Sequence, residues 1–232
     1  PSDSVALLYQ EPGGRLWVGT LKGLVPWLGR KADPALQEPL LPGEALNQIC
    51  ASRSGHLVVA TARGVFGGTA SHLAPVVGLP MGRSSAAWIA PDDSETLVVT
   101  HGWLYRRKAG SSTWEARTVA ATFKDEAIQM LLKDGRGRIW MRSHGKLLRL
   151  ASFEGAAEDL GPKLPGATVQ KDFLCLDDAG RIWVPTNLGL ACIEDHDVSV
   201  ISDIEGAPDL LSWEESVELA DQCLYAAKKS GR

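Results

Sequence analysis

The residues best placed to do chemistry sit in short turns next to glycine. His101 and His144 each precede a glycine, and Lys22, Arg63 and Asn187 occupy the matching turns elsewhere in the chain. Imidazoles are common ligands of divalent metals, but two histidines need a third partner to make a firm site. No carboxylate recurs in step with them, so no metal site is expected. The paired acids Asp92-Asp93 and Asp177-Asp178 raise the question of hydrolysis. That work needs a second group to donate a proton, and none can be placed. These aspartates read instead as turn formers, whose side chains bond the local backbone. No catalytic residue is assigned. Recognition is the remaining chemistry. Lys22, Arg63, His101, His144 and Asn187, joined by Asn47, Ser85, Glu126 and Lys171, would line a concave polar site if the fold gathered them at one end. Taken singly, each also fits a solvated turn residue.

The elements that would gather them are repeats. One phrase occurs five times: GRLWVGTLKGL at 14–24, GHLVVATARGV at 55–65, ETLVVTHGWL at 95–104, GRIWMRSHGKL at 137–147 and GRIWVPTNLGL at 180–190. Centred on Trp17, Val58, Val98, Trp140 and Trp183, the steps are 41, 40, 42 and 43 residues. Each unit contains apolar, β-branched runs separated by glycine turns, which read as hairpins. Four short strands in a period of this size make a propeller blade. The fold class is therefore all-β, a propeller of about five four-stranded blades, either a closed ring or an incomplete one. Blades are expected near 5–40, 46–82, 86–123, 127–165 and 172–203. Their first strands, Val5–Tyr9, Leu46–Ala51, Ala86–Ala90, Ala127–Leu132 and Phe173–Leu176, should lie nearest the axis. The turn after each second strand and the loop entering each first strand then emerge at one end. Trp17, Trp140 and Trp183 share one register and suit the apolar layer between blades, and Trp27, Trp88, Trp103 and Trp114 are read as core too.

Charge and composition exclude several classes. The net charge is −4 with no basic stripe, so nonspecific nucleic-acid binding has no electrostatic support. No apolar run is long enough for a membrane helix. No signal peptide is recognised, and a chain that starts on Pro1 reads as a fragment or processed form. The four cysteines show no CxxC spacing, which disfavours zinc and a disulfide framework. Cys50 and Cys175 fall in inner strands, as small buried apolar groups.

The last part of the chain changes period. Ser212-Trp-Glu-Glu215 has the form of a capping box, and Trp213, Val217, Ala220, Leu224 and Ala227 then line one face of a helix. Two units are expected: repeats over 1–205 and a C-terminal amphipathic α-helix within 206–232.

The repeats resemble the two-component regulator propeller family, whose repeat reads approximately D-x-x-G-x-[IL]-W-[IV]-G-T-x-x-G-[IL]. The match is best at Gly14–Leu24 and Asp178–Leu190 and good at Asp134–Leu147. The resemblance implies a bacterial sensor propeller in the periplasm, joined through a membrane segment to a cytoplasmic output domain. The tail resembles the closing helix of GGDEF diguanylate cyclases, A-D-x-A-L-Y-x-A-K-x-x-G-[RK]. Here Ala220, Asp221, Leu224, Tyr225, Ala227, Lys228, Gly231 and Arg232 match, and Cys223 replaces an alanine. That resemblance implies that Lys228 and Arg232 contact nucleotide phosphates, and that the parent protein uses Mg and GTP to make cyclic di-GMP. This chain contains no GG[DE]EF sequence, so it is expected to be catalytically inactive and to need no cofactor itself. A junction between the two units is expected within 193–211. The expected role is a sensory module taking a small-molecule or protein ligand on the propeller face. A stand-alone scaffold and a lyase- or lactonase-type propeller enzyme remain open, as does homodimerisation or other self-association through open blade edges.

Overall fold

The computed structural model describes residues 5–11, 13–28, 31–32, 38–80, 82, 84–119, 128–143, 146–164, 174–186, 189–195 and 197–201. Five antiparallel sheets of four strands follow one another along the chain. The first blade contains β1 (Val5–Gln10), β2 (Leu16–Thr20), β3 (Gly23–Leu28) and β4 (Lys31–Ala32). The second contains β5 (Leu46–Ala51), β6 (Leu57–Thr61), β7 (Val65–Thr69) and β8 (His72–Pro75). The third contains β9 (Ser84–Ile89), β10 (Glu95–Thr100), β11 (Trp103–Lys108) and β12 (Glu115–Thr118). The fourth contains β13 (Ile128–Lys133), β14 (Ile139–Ser143), β15 (Leu147–Leu150) and β16 (Ala157–Asp159). The fifth contains β17 (Cys175–Leu176), β18 (Ile182–Thr186), β19 (Gly189–Glu194) and β20 (Asp197–Ile201). One 3-10 turn, Gly161–Lys163, is the only helical element among the described residues. The α-helix expected within 206–232 lies outside them, as does most of the expected junction.

Strand periodicity explains the layering. Side chains alternate between the two faces of a strand, and the three middle blades are covered on both faces, so their second strands β6, β10 and β14 are buried along their whole length. Four apolar clusters join successive blades. Trp17 and Leu24 pack on Leu57 and Val59, and Val58 and Ala60 on Ala87 and Val98. Leu97 and Val99 pack on Ile139 and Met141, and Trp140 and Leu147 on Ile182 and Val184. Each valine, leucine, isoleucine or methionine among them, sealed from water, contributes about 1.5–3 kcal/mol. Among the described residues no cluster joins the fifth blade to the first. Among the described residues the five blades thus share four such interfaces.

The repeat register in the third blade differs from that read in the sequence. In the other blades the first turn spans four residues, with Glu11 N donating to Arg15 O, Ser52 to His56, Asp134 to Arg138 and Asp177 to Arg181. In the third blade Ala90 N donates to Glu95 O, five residues on. Ser94 is the added residue, and it moves the strand along by one. Leu97, not Val98, therefore stands where the others have Trp17, Val58, Trp140 and Trp183, facing the following blade. Val98 faces the preceding one. The tryptophans also divide. Trp17 and Trp140 are fully buried as expected, but Trp183 is half-buried and Trp103 is 43% exposed.

The inner strands carry a shared irregularity. Register shifts skip Ala6, Asn47, Ser85 and Gln129, in the first to the fourth blade. Such bulges turn a strand and re-aim the side chain that follows. In the second blade that side chain is Gln48. Its Nε2 donates to Leu131 O at 2.7 Å, and its Oε1 accepts from Ala87 N at 3.2 Å and from Leu131 N at 3.1 Å. One buried amide therefore ties β5 to β9 and β13, and fills the axis where those three strands converge. The expected placement of first strands nearest the axis holds for these. β1 is instead half-exposed, with Leu8 at 49%. Cys50 lies beside this centre, and burial pushes its thiol up to about 12. It should resist iodoacetamide in the native chain and react once the chain is unfolded, a contrast that peptide mass mapping would read out.

Candidate functional site

The turns after the second strands are held by the hydroxyl that ends each strand. Thr20 Oγ1 accepts from Lys22 N at 3.1 Å, and Thr61 Oγ1 accepts from Arg63 N at 3.0 Å and Gly64 N at 3.2 Å. In the second blade this turn meets the loop entering the first strand. Ala62 N donates to Ala45 O, and Arg63 Nε lies 2.9 Å from Glu44 Oε1. The Glu44 side chain is 9% exposed and that of Arg63 is 69% exposed. The buried carboxylate thus aims an exposed guanidinium outward. With the carboxylate buried and the guanidinium in water, the pair fixes the direction in which Arg63 points.

The neighbouring blade adds an imidazole. Arg63 O accepts from Gly82 N at 2.9 Å, and a Cβ built on Gly82 would fall 2.7 Å from His101 Cε1. Gly82 has φ +134, so only glycine suits both the backbone and the space. His101 is exposed, has φ 51, and shares a hydrogen bond between its Nδ1 and Thr100 Oγ1 at 2.9 Å. Arg63 and His101 are therefore neighbours across one glycine. Asn47 stands exposed at the bulge of β5, two residues beyond the loop that meets Arg63's turn. Lys22 is exposed on the first blade's turn. His144, Asn187, Glu126, Lys171, Lys228 and Arg232 lie outside the described residues. Among the described residues no group of three or more His, Cys, Asp or Glu is placed to hold a metal ion.

The opposite end holds a motif that the sequence reading passed over. Asp134 Oδ1 accepts from Arg136 N and Arg138 N, and Oδ2 from Arg138 Nε at 2.6 Å and Trp140 Nε1 at 2.9 Å. Asp177 repeats the set with Ala179 N, Arg181 N, Arg181 Nε and Trp183 Nε1. Glu11 makes a looser version with Arg15 and Trp17. The arginines also lie over the indoles, Arg138 at 5.4 Å and Arg181 at 5.3 Å. A carboxylate does recur in register, but it locks the first turn to the blade's tryptophan, far from the turns of Arg63 and His101. Burial alone would raise both aspartate pKa values. The hydrogen bonds from tryptophan and arginine outweigh it and hold both carboxyls below their ordinary value. The spacing D-x-x-x-R-x-W was visible in the sequence as the signal for it.

Two depressions lie away from Arg63. One, about 180 Å³, is lined by His56, Asp93, Arg107 and Lys108 among others. The other, about 370 Å³, lies against Arg117, Phe153 and Glu154 near the blade rims. Neither gathers the expected site residues.

No protein-family model matches the chain, and no curated protein matches it. Solved structures do match in fold. The extracellular domain of a one-component system from B. thetaiotaomicron aligns with TM-score 0.63 at 15% identity, covering 85% of this chain and 31% of that one. The extracellular domain of a hybrid two-component system from the same organism gives 0.62 at 18%, covering 82% and 27%. A streptogramin B lyase gives 0.64 at 13%, covering 89% and 72%. The chain thus spans about a third or less of the two signalling proteins' domains. At these identities the likeness shows the fold: a five-bladed β-propeller resembling extracellular sensor domains and, equally, a lyase.

Proposed function

We propose that this chain is the sensory propeller of a bacterial signalling protein, working outside the cytoplasm. It takes a polar small molecule or a protein partner at the end where Arg63 and His101 meet. The observation that carries this reading is the aimed Arg63 guanidinium, held by buried Glu44 and flanked by His101 across Gly82. Resemblance in fold to the extracellular domains supports it. Recognition at such a site needs no acid, base or nucleophile, only preorganised donors. A ligand found by thermal-shift screening should lose about tenfold in affinity in the Arg63→Ala, His101→Ala double variant, which removes one charge-assisted contact. His101 is exposed, but Arg63→Ala leaves the buried Glu44 carboxylate without its ion pair, so the melting temperature should fall while the chain stays folded. Calorimetry showing unchanged affinity would sink the proposal.

We infer further that the parent protein is a diguanylate cyclase. Support comes from the tail residues alone, with Lys228 and Arg232 as phosphate contacts and Mg and GTP as the parent's requirements. Sequencing the source locus across codons 190–215 tests this. An intervening membrane segment and GGDEF motif supports it, and an uninterrupted frame removes it. A second reading, a lyase acting on streptogramin B compounds, is favoured by the extent of the lyase likeness. A streptogramin B incubated with the chain and showing an unchanged mass spectrum would dismiss it.

A further inference from the structure

The smaller of the two depressions, about 180 Å³ between the second and third blades, holds two opposite charges that do not meet. Ile89, Thr96 and Arg107 form one cross-strand row of the third blade and line it. Ile89 belongs to the apolar layer shared with Val58 and Ala60, so this row faces the second blade. Arg107 lies over the Trp114 ring at 4.7 Å, and Trp114 is fixed in turn, its Nε1 donating to Val77 O at 3.1 Å. Stacking leaves the edge of a guanidinium ready to donate. Among the described residues no carboxylate pairs with it. Lys108 borders the space too, but alternation along β11 turns its side chain to the blade's other face. The negative charge comes from Asp93, in the first turn of the third blade. Ser54 Oγ, from the second blade, donates to Asp93 Oδ2 at 2.6 Å. Asp93 Oδ1 is sealed from water and accepts no hydrogen bond. His56 Nδ1 stands 3.6 Å from it, beyond hydrogen-bond reach. A buried carboxylate oxygen without a donor costs free energy, so a donor arriving there is favoured.

We propose that this depression binds a compact zwitterion of the α-amino-acid type. Its carboxylate takes the Arg107 guanidinium as a charge-assisted pair, and its ammonium supplies the donor that Asp93 Oδ1 lacks. The two protein charges are held apart, one by its stack on Trp114 and the other by Ser54. Their separation is set before a ligand arrives, which spares part of the ordering cost of binding. His56, 40% exposed, covers Asp93 Oδ1 and swings outward to admit the ammonium. A water's share of liquid volume is about 30 Å³, so the space takes about six groups of that size, a small amino acid. Ile89 offers the apolar contact for a short side chain. This site lies away from Arg63 and does not depend on what binds there.

Titration calorimetry of the intact chain with L-alanine, acetate and methylammonium separates the two charges. L-Alanine is expected to bind about tenfold or more tighter than either single-charge probe. A single-charge probe that binds as tightly as L-alanine, or no binding of L-alanine at millimolar concentration, overturns the proposal. Two variants then locate the site. Arg107→Met keeps an extended side chain over Trp114 without the charge. Asp93→Asn keeps a residue that tolerates the left-handed φ of 61. Each should weaken L-alanine binding about tenfold or more, and Arg63→Ala should leave it unchanged. Unchanged affinity in either of the first two, or a loss in Arg63→Ala, overturns the assignment to this depression. Circular dichroism melts show whether the variants are folded. If one is not, the three-probe titration of the unmodified chain still decides.

Discussion

Replacing Asp134 with alanine is expected to lower the free energy of unfolding by about 3–4 kcal/mol, in line with removing one partner of a buried charged pair. The Asp134 side chain is 1% exposed, and Arg138 beside it is 16% exposed. The substitution leaves the Arg138 guanidinium with Asp195 alone, and strands the Trp140 indole N–H and two backbone donors of the turn at once. Asp177→Ala should cost less, about 1–2 kcal/mol, because more exposed groups can turn to water. There the arginine is 37% exposed and the tryptophan half-buried. Chemical denaturation of both variants measures the difference. If Asp134→Ala costs under about 1 kcal/mol, an ordinary surface value, the carboxylate is not what holds the turn. Acid adds a second check. Both carboxyls are held below their ordinary value in the folded chain, so the unfolded chain binds more protons in acid. Their contribution is complete above the unfolded value of about 3.9 and is lost as pH falls through the folded one. The gap between the native chain and Asp134→Ala should therefore narrow below about pH 4.

Gln48 should be nearly as sensitive. Gln48→Ala leaves the amide N–H groups of Ala87 and Leu131 and the carbonyl of Leu131 without their partner at a buried position, at a cost of about 2–4 kcal/mol. Gln48→Glu is the more telling variant. A carboxylate can accept from Ala87 N and Leu131 N but cannot donate to Leu131 O. A protonated carboxyl can do both, and burial favours that neutral form, so its pKa should rise on folding. Stability of this variant should then be greatest in acid and decline as pH climbs from the unfolded value of about 4.3 toward the folded one. That slope is opposite in sign to the one expected from Asp134. A denaturation series in which Gln48→Glu loses nothing as pH rises would show that Gln48 does not bridge the three strands.

The strands were legible because each turn carries its own punctuation. Gly14, Gly55, Gly137 and Gly180 all take φ between 80 and 86, and each stands in the turn before a second strand. The third blade uses Asp93 there, at φ 61, followed by the added Ser94. Its phrase still looked like the others, and the pattern L-V-V could be slid by one residue without penalty, since neighbouring positions are equally apolar. Only the hydrogen bond from Ala90 to Glu95 separates the two registers. The gathering of Arg63 with the entering loop followed from hairpin connectivity alone. Glu44 was missed because a lone glutamate in a Pro-Gly-rich stretch looks solvated. Its burial depends on a loop conformation that short-range pattern does not encode. Gln48 was missed for a related reason. A polar residue inside an apolar run reads as facing water, and its partners lie 39 and 83 positions away.

The Gln48 bridge has a consequence for how the chain comes apart. Stacked units that touch only their neighbours behave as a one-dimensional array, in which opening spreads inward from either end. The first and fifth blades, each packed on one neighbouring blade among the described residues, should fray first and exchange their amides fastest. The bridge breaks the neighbour-only rule, because it couples the second blade directly to the fourth. Opening should therefore halt at those blades, and the middle three should melt together as one cooperative block. Hydrogen exchange would then show two tiers of protection, a plateau from β5 to β16 and a lower step on each flank, where an unbridged stack would show a smooth gradient.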